Sequence, residues 1–235
     1  MRISVIQFPG SNCDRDVVHI LRGIIGVQTD LVWHGRFRAG DYDAVVLPGG
    51  FSYGDALRSG AIAAYSPALE EVARLANNGS PVLGICNGFQ ILVEAGLLPG
   101  ALLPNDCLRF VCKWVNLRVE TARTPFTSGY EEGEIVHMPV AHHEGRYYAE
   151  RTMLQRVSKR EQVAFRYVDS NGVPSQAANP NGSTLNVAGV CNPKGNGLGL
   201  MPHPERASEG ILSPNGCSDG LTLLQSMVAH VKETH

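Results

Sequence analysis

Two hydrophobic patterns alternate along the first half of the chain. Residues 3–8, 29–33 and 44–47 are brief apolar runs rich in β-branched side chains, and each is read as a strand. Residues 14–24 place apolar side chains at 17, 18, 20, 21 and 24, the recurrence of one helix face. Residues 66–77 form a second helical stretch, stopped by Asn77-Asn78-Gly79. Residues 81–85 are apolar throughout and pass at once into a helix over 88–95. Continuous apolar strands separated by helices predict a parallel sheet covered on both faces.

The second half changes character. Residues 109–120 and 133–140 are strand-like with no long helical pattern between them. Residues 163–169 and 185–190 continue the series on either side of a turn-rich stretch, and an amphipathic helix over 221–232 closes it. These predict antiparallel additions to the sheet. No internal repeat, low-complexity tract or interdomain linker appears, so residues 1–235 are expected to form one three-layer α/β domain.

Composition narrows the class without naming a function. The chain is 43% hydrophobic and 18% charged with a net charge of −2, so neither nucleic acid nor an acidic membrane is expected as partner. The first apolar stretch is interrupted by Gln7 and ended by Pro9, too short for a signal-peptide core. No run approaches the roughly 20 apolar residues of a membrane span. The six cysteines contain no C-x-x-C pair, which predicts free thiols in a reducing, cytoplasmic setting.

One cysteine has a chemical frame. Gly84-Ile-Cys86-Asn-Gly88 places a thiol where a buried strand turns into a helix, the cysteine counterpart of the G-x-S-x-G nucleophile elbow. Only small residues fit where such a turn brings positions 84 and 88 together. The sulfur then stands at the strand's carboxyl end and at the positive end of a helix dipole, a setting suited to an anionic nucleophile. The other five cysteines lack this frame and read as structural; Cys191 is the next most notable.

A thiol nucleophile needs a proton partner, and His203 stands out in Pro202-His203-Pro204-Glu205. Pro204 keeps residue 203 out of the α conformation. In an extended segment residues two apart point the same way, so Glu205 is expected to orient the imidazole and stabilise its cation. His142 and His143 face opposite sides of a strand and make a poor metal site; their loop reads as binding, interface or solvated surface. Gly49-Gly50, after another strand, lets backbone N–H groups approach a substrate. Gly50 and Asn87 are the candidate oxyanion donors.

Together, Pro48-Gly49-Gly50, Gly84-Ile-Cys86-Asn-Gly88-Phe-Gln90 and Pro202-His203-Pro204-Glu205 resemble the three signatures of the class I (triad) glutamine amidotransferases. The resemblance implies their flavodoxin-like fold, a mostly parallel central sheet with antiparallel additions. It makes Cys86 the nucleophile, His203 the general acid and base, and Glu205 its orienter. Gly49, Gly50, Asn87 and Gln90 become the substrate-binding set, with Gln90 helping to hold glutamine. Phe8-Pro-Gly-Ser-Asn-Cys-Asp14, Gly49-Gly-Phe-Ser-Tyr-Gly-Asp55 and Met201-Pro-His-Pro-Glu-Arg206 are similar to the member that serves purine biosynthesis. That likeness implies ammonia delivery to a separate synthetase subunit, which uses ATP and magnesium to aminate formylglycinamide ribonucleotide, with a third small subunit in the complex. No metal or organic cofactor is expected in this chain. One departure is His143, where the family pattern Ala-His-Gly-Glu-Gly-Arg has glycine. The rival readings are another cysteine-elbow hydrolase, which substrate tests separate, and a non-enzymatic subunit, which a glutamine-analogue electrophile would fail to label.

Overall fold

The first half follows the predicted alternation. In the computed structural model, which describes residues 1–234, β1 (Arg2–Gln7) leads through α1 (Asp14–Val18) to β2 (Gln28–Trp33) and β3 (Ala44–Leu47). Helices α2 (Ala61–Ala64) and α3 (Pro67–Asn77) precede β4 (Val82–Ile85), and α4 (Asn87–Glu94) follows directly. The second half adds β5 (Ala101–Leu103), β6 (Val111–Val119), β7 (Ile135–His142), β8 (Arg146–Tyr148) and α5 (Arg151–Lys159). It ends with β9 (Val163–Val168), β10 (Val187–Cys191), β11 (Gly197–Leu200) and α6 (Asp219–Thr234). The single-domain expectation over 1–235 includes His235, which lies outside the described residues.

Nine strands form one sheet in the order β2-β1-β3-β4-β11-β10-β9-β6-β7. The pairings from β2 through β11 are parallel, and those from β11 through β7 are antiparallel. The expected parallel sheet with antiparallel additions is therefore continuous, hinged at β11. Strands β5 and β8 pair separately. The steps β1→β2 and β3→β4 run in opposite directions across the sheet. Right-handed crossovers then put α1 and α3 on opposite faces, and every residue of β3 and β4 is buried.

Local chemistry explains the better-formed helices. Pro67 occupies the first position of α3, and Ser66 Oγ accepts from the Ala68 N–H at 3.3 Å. Ala68, Leu69, Val72 and Leu75 form its buried stripe, and Gly79 takes a left-handed φ of 95° beyond its end. The helix expected over 14–24 is α-helical only to Val18, and His19–Ile24 continues with π-helical winding. Six residues of apolar spacing do not separate a 3.6-residue from a wider turn. Helix α5 has no counterpart in the sequence reading because Val157 is its one fully buried residue. The three-residue strands β5 and β8 are too short to show alternation. No helix among the described residues is long and apolar enough to cross a membrane.

Candidate active site

Cys86 follows β4 and precedes the first residue of α4. Its φ of 50° and ψ of −104° hold an L residue in a conformation that costs free energy and survives only where the surroundings enforce it. Two glycines make the turn possible. A Cβ on Gly84 would sit 2.7 Å from the Gly88 carbonyl oxygen, and one on Gly88 would collide with the Leu47 carbonyl of β3. The Cys86 N–H donates to Leu200 O of β11 at 2.8 Å, so two neighbouring strands fix the elbow. Its Sγ lies 3.7 Å from the carbonyl oxygen of Ala141.

His203 leaves the end of β11 with φ −105° and ψ 93°, outside the α region as Pro204 requires. The expected extended path does not continue to Glu205. Pro204–Ala207 winds as a 3₁₀ turn, because proline's fixed φ suits a first helical position. Glu205 meets the imidazole within that turn: Oε1 lies 2.6 Å from His203 Nδ1, and both side chains are buried. The His203 N–H donates to Pro139 O of β7 at 2.8 Å, holding the turn from the other side. Burial works against the imidazolium, but the charges of Glu205 and Cys86 and the thiol of Cys13 outweigh it. The His203 pKa is held well above the ordinary histidine value. His203 Nε2 is buried without a hydrogen-bond partner, which leaves it free to exchange a proton with an occupant of the site.

The four elements that meet here are sheet neighbours. The carboxyl ends of β1, β3, β4 and β11 deliver Cys13, Gly49-Gly50, Cys86 and His203-Glu205, in that order across the sheet. Ligands of open parallel sheets bind at this end, where strand order reverses. A cavity of about 260 Å³ lies there, lined by Cys13, Gly50, Phe51, Cys86, His203 and Arg206 among others. Clefts of about 460 and 500 Å³ elsewhere contain none of the candidate residues, so chemistry rather than size identifies the site. Gly49 does not line the cavity but makes its packing possible. A Cβ there would lie 2.7 Å from His203 Cε1 and 3.0 Å from Cys13 Sγ.

A profile of the CobB/CobQ-like glutamine amidotransferase domain matches residues 1–229. The chain belongs to that family. It is 54% identical over 233 residues to phosphoribosylformylglycinamidine synthase subunit PurQ of Methanosarcina barkeri, covering 99% of each chain. The same figures hold for PurQ of Methanosarcina acetivorans. Among solved structures, a chain of PurLQS from Thermotoga maritima is 45% identical with a TM-score of 0.85, covering 98% of both chains.

The remaining candidates take distinct places in this amidotransferase fold. Asn87 begins α4, so its N–H has no acceptor one turn earlier and is available to an oxyanion. Its side chain accepts from the Ser52 N–H at 3.1 Å and donates to Gln90 Oε1 at 2.9 Å. Gln90 in turn donates from Nε2 to Glu144 O at 2.6 Å. Its amide thus ties α4 to the loop over 141–146. That loop is more than solvated surface, since Ala141 borders the cavity and Ser59 N donates to the Glu144 carboxylate at 3.1 Å. His142 is buried, with Nδ1 3.1 Å from Asn105 Oδ1, whereas His143 is exposed. Burial pushes the His142 pKa down to about 4.

Among the lining residues that escaped the sequence reading, two stand beside the His203–Glu205 pair. Cys13 reads as a structural thiol, and Arg206 appears only inside a family-like string, although the structure puts both at the cavity wall. No spacing rule links positions 13, 86 and 203; only adjacency of the strands before them does. Cys13, His203 and Glu205 have donor atoms within 4.8 Å of one another, a set able to hold a metal ion. Arg206 Nη2 donates to the same sulfur at 3.0 Å, and its Nε lies 3.9 Å from the same carboxylate. A guanidinium therefore already supplies positive charge there. None of the six cysteines is in a disulfide, and burial raises the Cys191 thiol to about 12.

Proposed function

We propose that this chain is the glutamine-hydrolysing subunit of a phosphoribosylformylglycinamidine synthase, with Cys86, His203 and Glu205 as its catalytic triad. The observation that carries the reading is the strained Cys86 elbow in one cavity with a buried His203–Glu205 pair at 2.6 Å. The Cys86 thiolate attacks the side-chain amide carbon of glutamine, and the N–H groups of Gly50 and Asn87 receive the oxyanion. As the C–N bond breaks, His203 gives its proton to the departing ammonia, leaving a glutamyl thioester. His203 then takes a proton from water, whose oxygen attacks the thioester carbon. Cys86 leaves as thiolate with glutamate released. Glu205 holds the ring orientation and supports its cation. Gln90 serves glutamine binding by fixing the Glu144 loop and Asn87, and Gly49 by leaving room for the histidine.

The ammonia is destined for a synthetase subunit that uses ATP and magnesium to convert formylglycinamide ribonucleotide to formylglycinamidine ribonucleotide. Likeness to the PurQ relatives and to the chain in PurLQS supports a synthetase partner, and we read the complex as including a third small subunit. We read residues 1–235 as one amidotransferase domain working in the cytoplasm without a cofactor of its own. The test compares wild type and Cys86→Ala, with and without the synthetase, for glutamine hydrolysis and for synthesis from glutamine or added ammonia. The variant is expected to lose glutamine-dependent synthesis and keep ammonia-dependent synthesis. Loss of both would assign Cys86 a structural role, and retention of both would overturn the mechanism.

A further inference from the structure

Arg206 takes no part in the steps above, yet it borders the cavity they occupy. Its Nη2 donates to Cys13 Sγ at 3.0 Å, while Nε lies 3.9 Å from Glu205 Oε1 and 3.9 Å from Asp16 Oδ2. That Glu205 oxygen is the one bonded to His203 Nδ1. One guanidinium and one imidazole therefore share a single carboxylate oxygen. Cys13 is fixed for its part, with its N–H donating to Gly49 O at 3.1 Å and its thiol donating to Asn12 Oδ1 at 3.2 Å. The sulfur lone pairs remain for the guanidinium.

We propose that Arg206 is a positioning residue that limits how tightly Glu205 holds the His203 cation, seated for that purpose against Cys13. The inference rests on the triad chemistry proposed above. That chemistry asks His203 to be an acid while ammonia leaves and a base while water attacks. The titratable groups facing His203 are Glu205 from its own turn, Cys86 from the elbow, Cys13 from the start of α1 and His142 from the end of β7. Those facing Arg206 are Cys13 and Asp16 from the α1 side and Glu205. Around the imidazole, Glu205, Cys86 and Cys13 favour the protonated ring, and an imidazolium held through the neutral range cannot accept the proton of water. Positive charge shared with the Glu205 oxygen weakens that hold. Arginine suits the place because its planar fork reaches the sulfur and the carboxylate together, which a lysine ammonium does not.

The test uses the complex assembled with the synthetase and compares wild type, Arg206→Gln and Arg206→Lys. For Arg206→Gln the acid limb of the kcat–pH profile is expected to rise by about one pH unit. At neutral pH the glutamyl thioester should accumulate, kcat should fall several-fold and KM should change less than about twofold. Arg206→Lys, which keeps the charge, should return the limb most of the way to wild type. Ammonia-dependent synthesis should be unchanged in both. Arg206→Met, neutral and of similar length, is read the same way if the glutamine variant does not fold. An unmoved limb with only lowered thermal stability overturns the proposal, as does a large rise in KM alone, which would make Arg206 a substrate contact. A wild-type complex without glutaminase activity brings down the functional reading and this inference together. An active wild type with an unmoved variant limb removes the inference only.

Discussion

Replacing Glu205 by glutamine tests the electrostatic half of the mechanism with almost no change of shape. The carboxylate lies 2.6 Å from His203 Nδ1, and both side chains are buried. The carboxylate's charge holds the His203 pKa up against burial. A hydrogen bond to a charged group contributes about 1.5–3 kcal/mol. If that support is present when ammonia leaves, its loss slows acylation about 10- to 150-fold. The second carboxylate oxygen sharpens the expectation, because Oε2 is buried without a partner. With the amide oxygen toward the ring, the NH₂ group occupies that partnerless position at a cost of about 1–3 kcal/mol. With the amide reversed, its NH₂ faces Nδ1 and forces the ring proton onto Nε2, which then cannot accept a proton. Both orientations lower activity, and the first also lowers stability. The assay is glutamine-dependent kcat in the assembled complex between pH 6 and 9, with ammonia-dependent synthesis and a thermal melt as controls. An Glu205→Gln enzyme within about threefold of wild type at every pH would refute the assigned role.

Two further outcomes follow from packing and burial. Gly88→Ala drives a methyl into the Leu47 carbonyl of β3, which cannot move without separating α4 from the sheet. A loss of about 3 kcal/mol or more is expected in urea unfolding, against less than about 0.5 kcal/mol for Gly40→Ala, where nothing lies within 4 Å. Equal midpoints for the two would contradict this account of the elbow. His142 should make stability depend on pH. Its folded pKa is pushed by burial to about 4 from an ordinary 6.5, so the unfolded chain binds the extra proton between those values. The stabilisation is complete above pH 6.5 and is lost as pH falls toward 4, by about 3 kcal/mol in all. His142→Gln should flatten the unfolding free energy across that window, and identical slopes would rule the contribution out.

Much of the site was legible in sequence because its signals are local. The glycines at 84 and 88 announce a turn that no larger residue fits, and the structure sets one against the other and against β3. Pro204 states that His203 leaves the α region. The buried strands β3 and β4 declare themselves by being apolar throughout. Where a segment buries little, as in α5, or winds slightly wider, as after Val18, periodicity carries no message. Glu205 was expected opposite His203 for the wrong local reason, since a 3₁₀ turn rather than an extended run brings them together.

By itself the sequence determined the strand–helix alternation and the elbow and singled out Cys86, His203 and Glu205 as candidates, because each signal depends on neighbours a few positions away. Tertiary structure alone decided that Gln90 spends its amide on the Glu144 loop and that Cys13 and Arg206 stand beside the His203–Glu205 pair. Those contacts join residues up to 193 positions apart. They exist because sheet order sets β1, β3, β4 and β11 side by side, an arrangement fixed by pairing and burial across the whole chain rather than by any local pattern.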